Sequence, residues 1–501
     1  MPSREELRTA ALGVLTPGFV GTELPAWLSG LLGEGLAGVW LFGHNITDAA
    51  QCRELTGRVH DAAPHALVCA DEEGGTVTRL NHQEGSPWPG AWALGVVDDV
   101  GTTRSVAAGL GSRLTAAGID LGAAPVADVN TEPQNPVIGV RSFGADPQLA
   151  ARHVAATVAG LREAGVLSCA KHFPGHGSTR QDSHLTLPTL EVPADLLRSR
   201  ELVPFRAAVE AGVDVVMTGH LVVPEHGPLP ATLNPALVRM LREDLGFTGV
   251  VCTDAIDMEA VAGTVGRARA AVLALVAGVD LVCVGNPVFP GDYDARQDVL
   301  DLVDALVRSV EVGELAAERL TEAAARVRAL GLRQAGRRGA PTRGAPPADG
   351  VSGAGETVGL DAARRAVRSS GAPARLTAPL VVGASAAGNI ASGARQEVML
   401  QVLAERLGGR TVPDLSSLAG AAPHEGGAPV VLVTDDHSDL SDPLVRDAVA
   451  QAAAVVHAGI RDLPADLPAR WVVRTFGGGR ASATAAAETL ASAGQDTRSR
   501  H

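Results

Sequence analysis

What most constrains this chain is a recurrence: over residues 1 to about 330, short apolar runs return between stretches of helical periodicity. The runs are 12–16, "GVWLF" (38–42), "ALVCA" (66–70), 119–126, 166–170, "VDVVMT" (213–218), "GVVCT" (249–253) and "VDLVCV" (279–284). Between them lie segments such as "RHVAATVAGLREAG" (152–165) and "PFRAAVEAG" (204–212), with apolar residues at helical spacing and a closing glycine. Strands alternating with helices read as βα units around parallel strands. Eight such strands predict an α/β fold class whose first domain, residues 1–332, is a (β/α)8 barrel of the TIM type.

Residues 333–350, "RQAGRRGAPTRGAPPADG", are dense in Gly, Pro and Arg and have no apolar period, so they read as a linker. Beyond it, apolar runs at 379–383, 429–434, 453–457 and 471–474 alternate with Ala-rich helical segments. Residues 351–501 are therefore expected to form a smaller α/β sandwich. Two domains also suit a length of 501 residues, more than one core normally supports.

The formal charge of −14 argues against a general affinity for nucleic acid or an anionic membrane surface, and small-molecule chemistry gains weight. Glu5, Glu6 and Pro17 spoil a signal-peptide reading of the N-terminus, and no apolar run is long enough to span a bilayer. The five cysteines lack CxxC spacing and read as buried thiols in a reducing cytoplasm, the expected location.

Isolated polar residues collect just after the strands, where barrel active sites are built. Asp71 ends "ALVCAD", Asp128 follows "LGAAPVAD", Lys171 and His172 follow "VLSCA", His220 follows "VVMTG", Asp254 ends "GVVCTD" and Asn286 follows "VCVG". Each alone has a plain structural role, Asp71 and Asp254 as helix caps and Asp128 as a loop brace. Their convergence on one mouth points to a site.

The stretch "KHFPGHGSTRQDSHLTLP" (171–188) places His176, Asp182 and His184 on an irregular loop marked by Pro174, Gly175 and Gly177. His172 and His176 would need a helix to share a metal, and the proline and glycines make one improbable, so no metal is expected. Asp182 and His184 form a better pair: the carboxylate holds one imidazole nitrogen and raises the basicity of the other, a general acid/base dyad. Asp254 is the best-placed nucleophile opposite it, and Asp257 a poorer one.

These residues resemble a known family. "KHFPGHG" followed by "DSH" and "LP", together with "DEEGG.V.RL" (71–80), "NPVIGVRSFGADP" (135–147), "VMTGH" (216–220) and "TDAIDM" (253–258), resembles the family 3 glycoside hydrolases of the β-N-acetylglucosaminidase type. The tail "TFGGGRASATAAAETLA" (475–491) resembles the end of the family's second domain. The resemblance implies Asp254 as nucleophile, His184 as acid/base and Asp182 as its orienter. It implies Asp71, Arg79, Arg141, Lys171 and His172, with Asp128 as a further candidate, as hydroxyl-binding groups for the terminal sugar. No cofactor is implied. The substrate would be a short saccharide such as a peptidoglycan fragment or chitobiose, with water or phosphate as acceptor; a β-glucosidase, a phosphorylase and a non-catalytic sugar-binding protein are the alternatives. Glu72 stands where the family commonly has Gln, Ser178 where an acidic residue is frequent, and Gly219 where Ala is usual. No residue of the second domain is recognised as entering the site, so its expected role is structural or homodimer-forming.

Overall fold

The computed structural model describes residues 2–288, 292–338, 351–385, 396–418 and 428–493. Eight strands build the first domain: β1 (Leu15–Pro17), β2 (Gly38–Leu41), β3 (Leu67–Ala70), β4 (Leu121–Gly122), β5 (Leu167–Phe173), β6 (Val215–Thr218), β7 (Val250–Thr253) and β8 (Val282–Gly285). β2 to β7 form one curled parallel sheet in sequential order, and β1 pairs with β8. The two pieces join where Thr253 donates its N–H to Leu281 and Leu281 donates to Val251, and on the other side where Ala37 donates to Leu12. Cys69, Leu121, Cys169, Met217, Cys252 and Cys283 fill the barrel interior, and the fifth thiol, Cys52, is buried in the core outside it.

Two expected strands are shorter. Leu12 ends a helix, Arg4–Leu12, started by a reciprocal cap between Ser3 and Glu6, so the first strand begins only at Leu15. The run 119–126 forms a ladder only at Leu121–Gly122. Pro125 has no N–H to give, and pairing resumes irregularly where Lys171 donates to the Pro125 carbonyl and Ala127 to that of Lys171.

The helix Ala317–Ala335 runs into the stretch read as linker, and Arg338 beyond it clamps Asp120 at 2.8 and 2.9 Å and the carbonyls of Pro64 and Ala66. Residues 339–350 lie outside the described residues.

The second domain is a three-layer sandwich. β9 (Arg368–Gly371), β10 (Leu380–Gly383), β11 (Arg410–Thr411), β12 (Val430–Thr434), β13 (Ala454–His457) and β14 (Trp471–Arg474) form a sheet of order β11-β10-β12-β13-β14-β9, parallel except for β9. Strand alternation sends Val381, Val431 and Val433 to the helices Glu397–Leu407 and Arg480–Ala493, and Val382, Leu432 and Val455 to the helix Pro443–Gln451. β9 and β11 escape sequence reading because "RSSG" and "RT" are exposed edge strands with no apolar face.

The domains dock through the segment after β3. Arg113 pairs with Glu356, Arg365 with Asp99 and Arg480 with Glu84, and Ala481 donates its N–H to the Ser86 carbonyl. No described helix is long and apolar enough to cross a membrane.

Candidate active site

At the C-terminal ends of the barrel strands lies a cavity of about 510 Å³, the size of a small-ligand pocket. Its floor is an ionic lattice. Lys171 at the end of β5 places Nζ 2.7 Å from Asp71 Oδ1 and 2.7 Å from Glu73 Oε1. Arg141 grips Glu73 with two parallel bonds of 2.9 and 2.8 Å, and Arg79 reaches Asp71 at 3.2 Å. Burial alone would raise both carboxyls, but Lys171 and Arg79 hold Asp71 far below its ordinary range, and Arg141 with Lys171 holds Glu73 down to about 2. Burial likewise disfavours the Lys171 ammonium, and Asp71 and Glu73 outweigh it, raising its pKa. Asp71, Glu73, Arg141 and Lys171 are thus ionised, with donors and carboxylate oxygens lining one concave face, a surface suited to a ligand rich in hydroxyls.

The segment after β3 needs its glycines to carry this lattice. Gly75, at φ +60°, donates to the Trp88 carbonyl, and a Cβ there would lie 2.6 Å from Gly90 Cα. Glu73 N–H donates to Val77, turning the Glu73 side chain toward Lys171 while Glu72 turns the other way and accepts from the N–H groups of Arg79 and Leu80. Glu72 thus braces the segment, and burial raises its pKa.

Asp254 directly follows β7, its N–H bonded to the Thr218 carbonyl and one carboxylate oxygen accepting from Ala255 N–H at 2.8 Å. Burial pushes its carboxyl up, but the imidazoles of His172, His220 and His184 more than offset this, so it stays ionised as a nucleophile requires. On the loop over the mouth, Asp182 Oδ1 accepts from both His184 N–H at 2.9 Å and His184 Nδ1 at 2.7 Å. That Asx-type turn fixes Nδ1 as the donor and leaves Nε2 for the cavity that His184 lines. Asn135 ties the loop down by donating to the carbonyls of His176 and Thr179.

Of the residues singled out from sequence, Asp71, Arg79, Arg141, Lys171, His172, His184 and Asp254 all line the cavity, with Asp182 directly behind His184. Asp128 is the exception. It is wholly buried behind His172, accepting from His172 Nδ1 at 2.8 Å and from the backbone N–H of His172 and His176, so it orients an imidazole and has no surface for a sugar. His220 is also turned away, with its ring nitrogens on Thr232 and the Ala255 carbonyl. His176 has both ring nitrogens occupied, by Thr179 at 2.7 Å and Ser183 at 3.0 Å. Ser178, at a position where the family often has an acidic residue, donates its hydroxyl to the buried Glu201 at 2.7 Å.

Two things were missed. Glu73 sits in the same "DEE" run as Asp71, but sequence does not say which carboxylate faces Lys171. The second domain, in which no residue was recognised as entering the site, also reaches it: Glu397, Val398, Gln401, Gly478 and Gly479 line the cavity. A Cβ on Gly479 would lie 2.6 Å from the Gly75 carbonyl oxygen, so the second domain packs directly on the turn that carries Glu73.

Comparison with known proteins agrees with this geometry. The chain is 32% identical over 338 residues to beta-hexosaminidase A of Pseudoalteromonas piscicida, covering 62% of this chain and about half (55%) of that protein. It is 38% identical over 288 residues to a beta-hexosaminidase of Xanthomonas euvesicatoria, covering 55% of this chain and 84% of that one. A glycoside hydrolase family 3 beta-N-acetylglucosaminidase from Paenibacillus sp. superposes with a TM-score of 0.84 at 28% identity over 97% of both chains, so the likeness extends through the second domain. Residues 25–330, the barrel that carries the cavity, match the glycosyl hydrolase family 3 N terminal domain, and the chain belongs to that family.

Proposed function

We propose that the protein is an exo-acting, retaining β-N-acetylglucosaminidase that removes terminal non-reducing GlcNAc from short saccharides. The observation that carries this reading is that an ionised carboxylate, Asp254, and an imidazole held by a carboxylate, His184 on Asp182, face one cavity whose floor is the Asp71–Glu73–Lys171–Arg141 lattice. The names of the relatives support the acetamido sugar as substrate.

In the first step, protonated His184 gives its Nε2 proton to the glycosidic oxygen as the C1–O bond breaks, and Asp254 bonds to C1. Neutral His184 then takes a proton from water as that water attacks C1 and releases Asp254, regenerating the imidazolium. Asp182 stabilises the cationic ring in both half-reactions. A neutral imidazole as base does not repel an anionic acceptor, which favours phosphate as a second acceptor and a sugar 1-phosphate as the product. The cytoplasmic setting read from the sequence belongs to the same proposal.

The test is turnover of 4-nitrophenyl β-N-acetylglucosaminide beside the β-glucoside, with and without phosphate, following nitrophenol and sugar phosphate. Preference for the acetamido sugar is expected. Equal or better turnover of the glucoside overturns that specificity, sugar phosphate identifies a phosphorylase, and silence on both overturns the enzymatic reading.

A further inference from the structure

Depth sorts the residues around the cavity. Lys171, Arg141 and His172 are buried at the floor, Asp254 and His184 are half-buried, and His82, Gln83, Glu397 and Gln401 are exposed at the mouth. An exo-acting pocket seats the terminal sugar on the floor, so the groups at the mouth meet what leaves. Glu397 and Gln401 belong to the second domain. They lie four residues apart on the helix Glu397–Leu407 and so share a face. The helix is seated against the barrel where Val398 touches Gly85; a Cβ on that glycine, at φ +77°, would come within 2.4 Å of the valine.

The charges on this wall are uneven. Five carboxylates line the cavity (Asp71, Glu73, Asp254, Asp257 and Glu397) against three cations, Arg79, Arg141 and Lys171. Those cations are engaged with Asp71 and Glu73 at the floor, and Arg480 near the mouth is engaged with Glu84. Among the described residues, no cation pairs with Glu397. A leaving group with a carboxylate would meet a like charge that no described cation pairs, whereas an ammonium would find a partner and Gln401 offers a neutral donor and acceptor to hydroxyl or acetamido groups.

We infer that the helix face bearing Glu397 and Gln401 is the leaving-group subsite, and that it selects neutral or cationic amino sugars over acidic ones. This rests on the hexosaminidase reading and decides between its two substrate classes, in favour of chitobiose-like fragments and against muramic-acid-bearing ones. For a partly screened pair at the mouth, the discrimination is about threefold to tenfold for each charge change at low salt.

The experiment uses the full-length chain and three disaccharides with the same terminal β-1,4-linked GlcNAc, followed by glucosamine, N-acetylglucosamine or N-acetylmuramic acid. The expected order of kcat/KM is cationic above neutral above acidic, with the spread shrinking in high salt. Glu397→Gln should flatten the order and Glu397→Lys invert it. The readout is a ratio within each variant, so partial loss of folded protein does not obscure it. If the wild type cleaves 4-nitrophenyl β-N-acetylglucosaminide but shows no charge order, or if neither variant moves the ratio, the inference is overturned while the hexosaminidase reading stands. If the wild type leaves the nitrophenyl substrate intact, that reading fails and takes the inference with it.

Discussion

The two ends of the barrel bury charge in similar ways and do different things with it. At the N-terminal end, Asp280 is completely buried and receives Arg242 at 2.5 Å and Arg319 and Arg326 at 2.6 Å, with a further bond from Val251 N–H. At the C-terminal end, the Lys171 ammonium donates to Asp71 and Glu73 at 2.7 Å each. In the Asp280 cluster the carboxylate is surrounded by three guanidinium groups and a backbone N–H against packed helices, with no open face. The Lys171 lattice is just as well paired, yet its edge opens on a cavity of about 510 Å³. Buried charge therefore does not by itself mark a site; paired charge that still faces an open concave surface does. Position relative to strand direction separates the two cases, because the chain delivers function to one face of a barrel and stability to the other.

Substitutions sharpen that contrast. Asp254→Ala should lower kcat by about 10⁴-fold or more while the protein stays folded; near-normal turnover would remove Asp254 from the nucleophile role. His184→Ala should cost about 10²- to 10⁴-fold on a disaccharide and much less on a nitrophenyl glycoside, whose leaving group needs no proton. Equal losses on both would count against the acid role. At the other end, Asp280→Ala should leave kcat per folded molecule intact but destabilise the fold by about 3–5 kcal/mol, since it strands three arginines around a buried hole. Denaturant midpoints measure this, and a loss of kcat without loss of stability would erase the distinction between the two ends.

The smallest expected effect is the most specific. Asp257 lines the cavity three residues beyond Asp254, accepting from Asn286 N–H at 2.6 Å and from the Tyr293 hydroxyl at 3.3 Å. Burial raises its pKa from an ordinary 3.8 to about 6. Folding thus favours the protonated form, so its contribution to stability is fully present below about pH 3.8 and is lost as pH rises through about 6. Asp257→Asn should match the wild type near pH 4 and exceed it by on the order of 1–2 kcal/mol at pH 8. A difference independent of pH would show that the carboxyl does not titrate in this range.

Much of the site was legible because barrel geometry turns a local pattern into a place. A polar residue that ends an apolar run at Asp71, Lys171 or Asp254 lies at the mouth whatever the helices do between. The Asp182–His184 pair was legible for another reason: two residues of one turn find each other without help from the rest of the fold. Asp128 followed the same pattern and proved different. Its carboxylate turns to the backbone N–H groups of His172 and His176, and a sequence does not state where a side chain points.

By itself, the sequence determined the eight-strand alternation, the second domain and the Asp182–His184 pair, all of which depend on periodicity or on neighbours along the chain. Only the tertiary structure decided that Glu73 rather than Glu72 faces Lys171, that Asp128 stands behind His172, and that Glu397 and Gln401 reach the cavity from a domain more than a hundred residues later. The physical reason is the same in each case. Which of two adjacent carboxylates turns inward, and which helix closes a mouth, is set by packing between segments distant in sequence, such as Gly479 on Gly75 and Val398 on Gly85, and no local propensity carries that information.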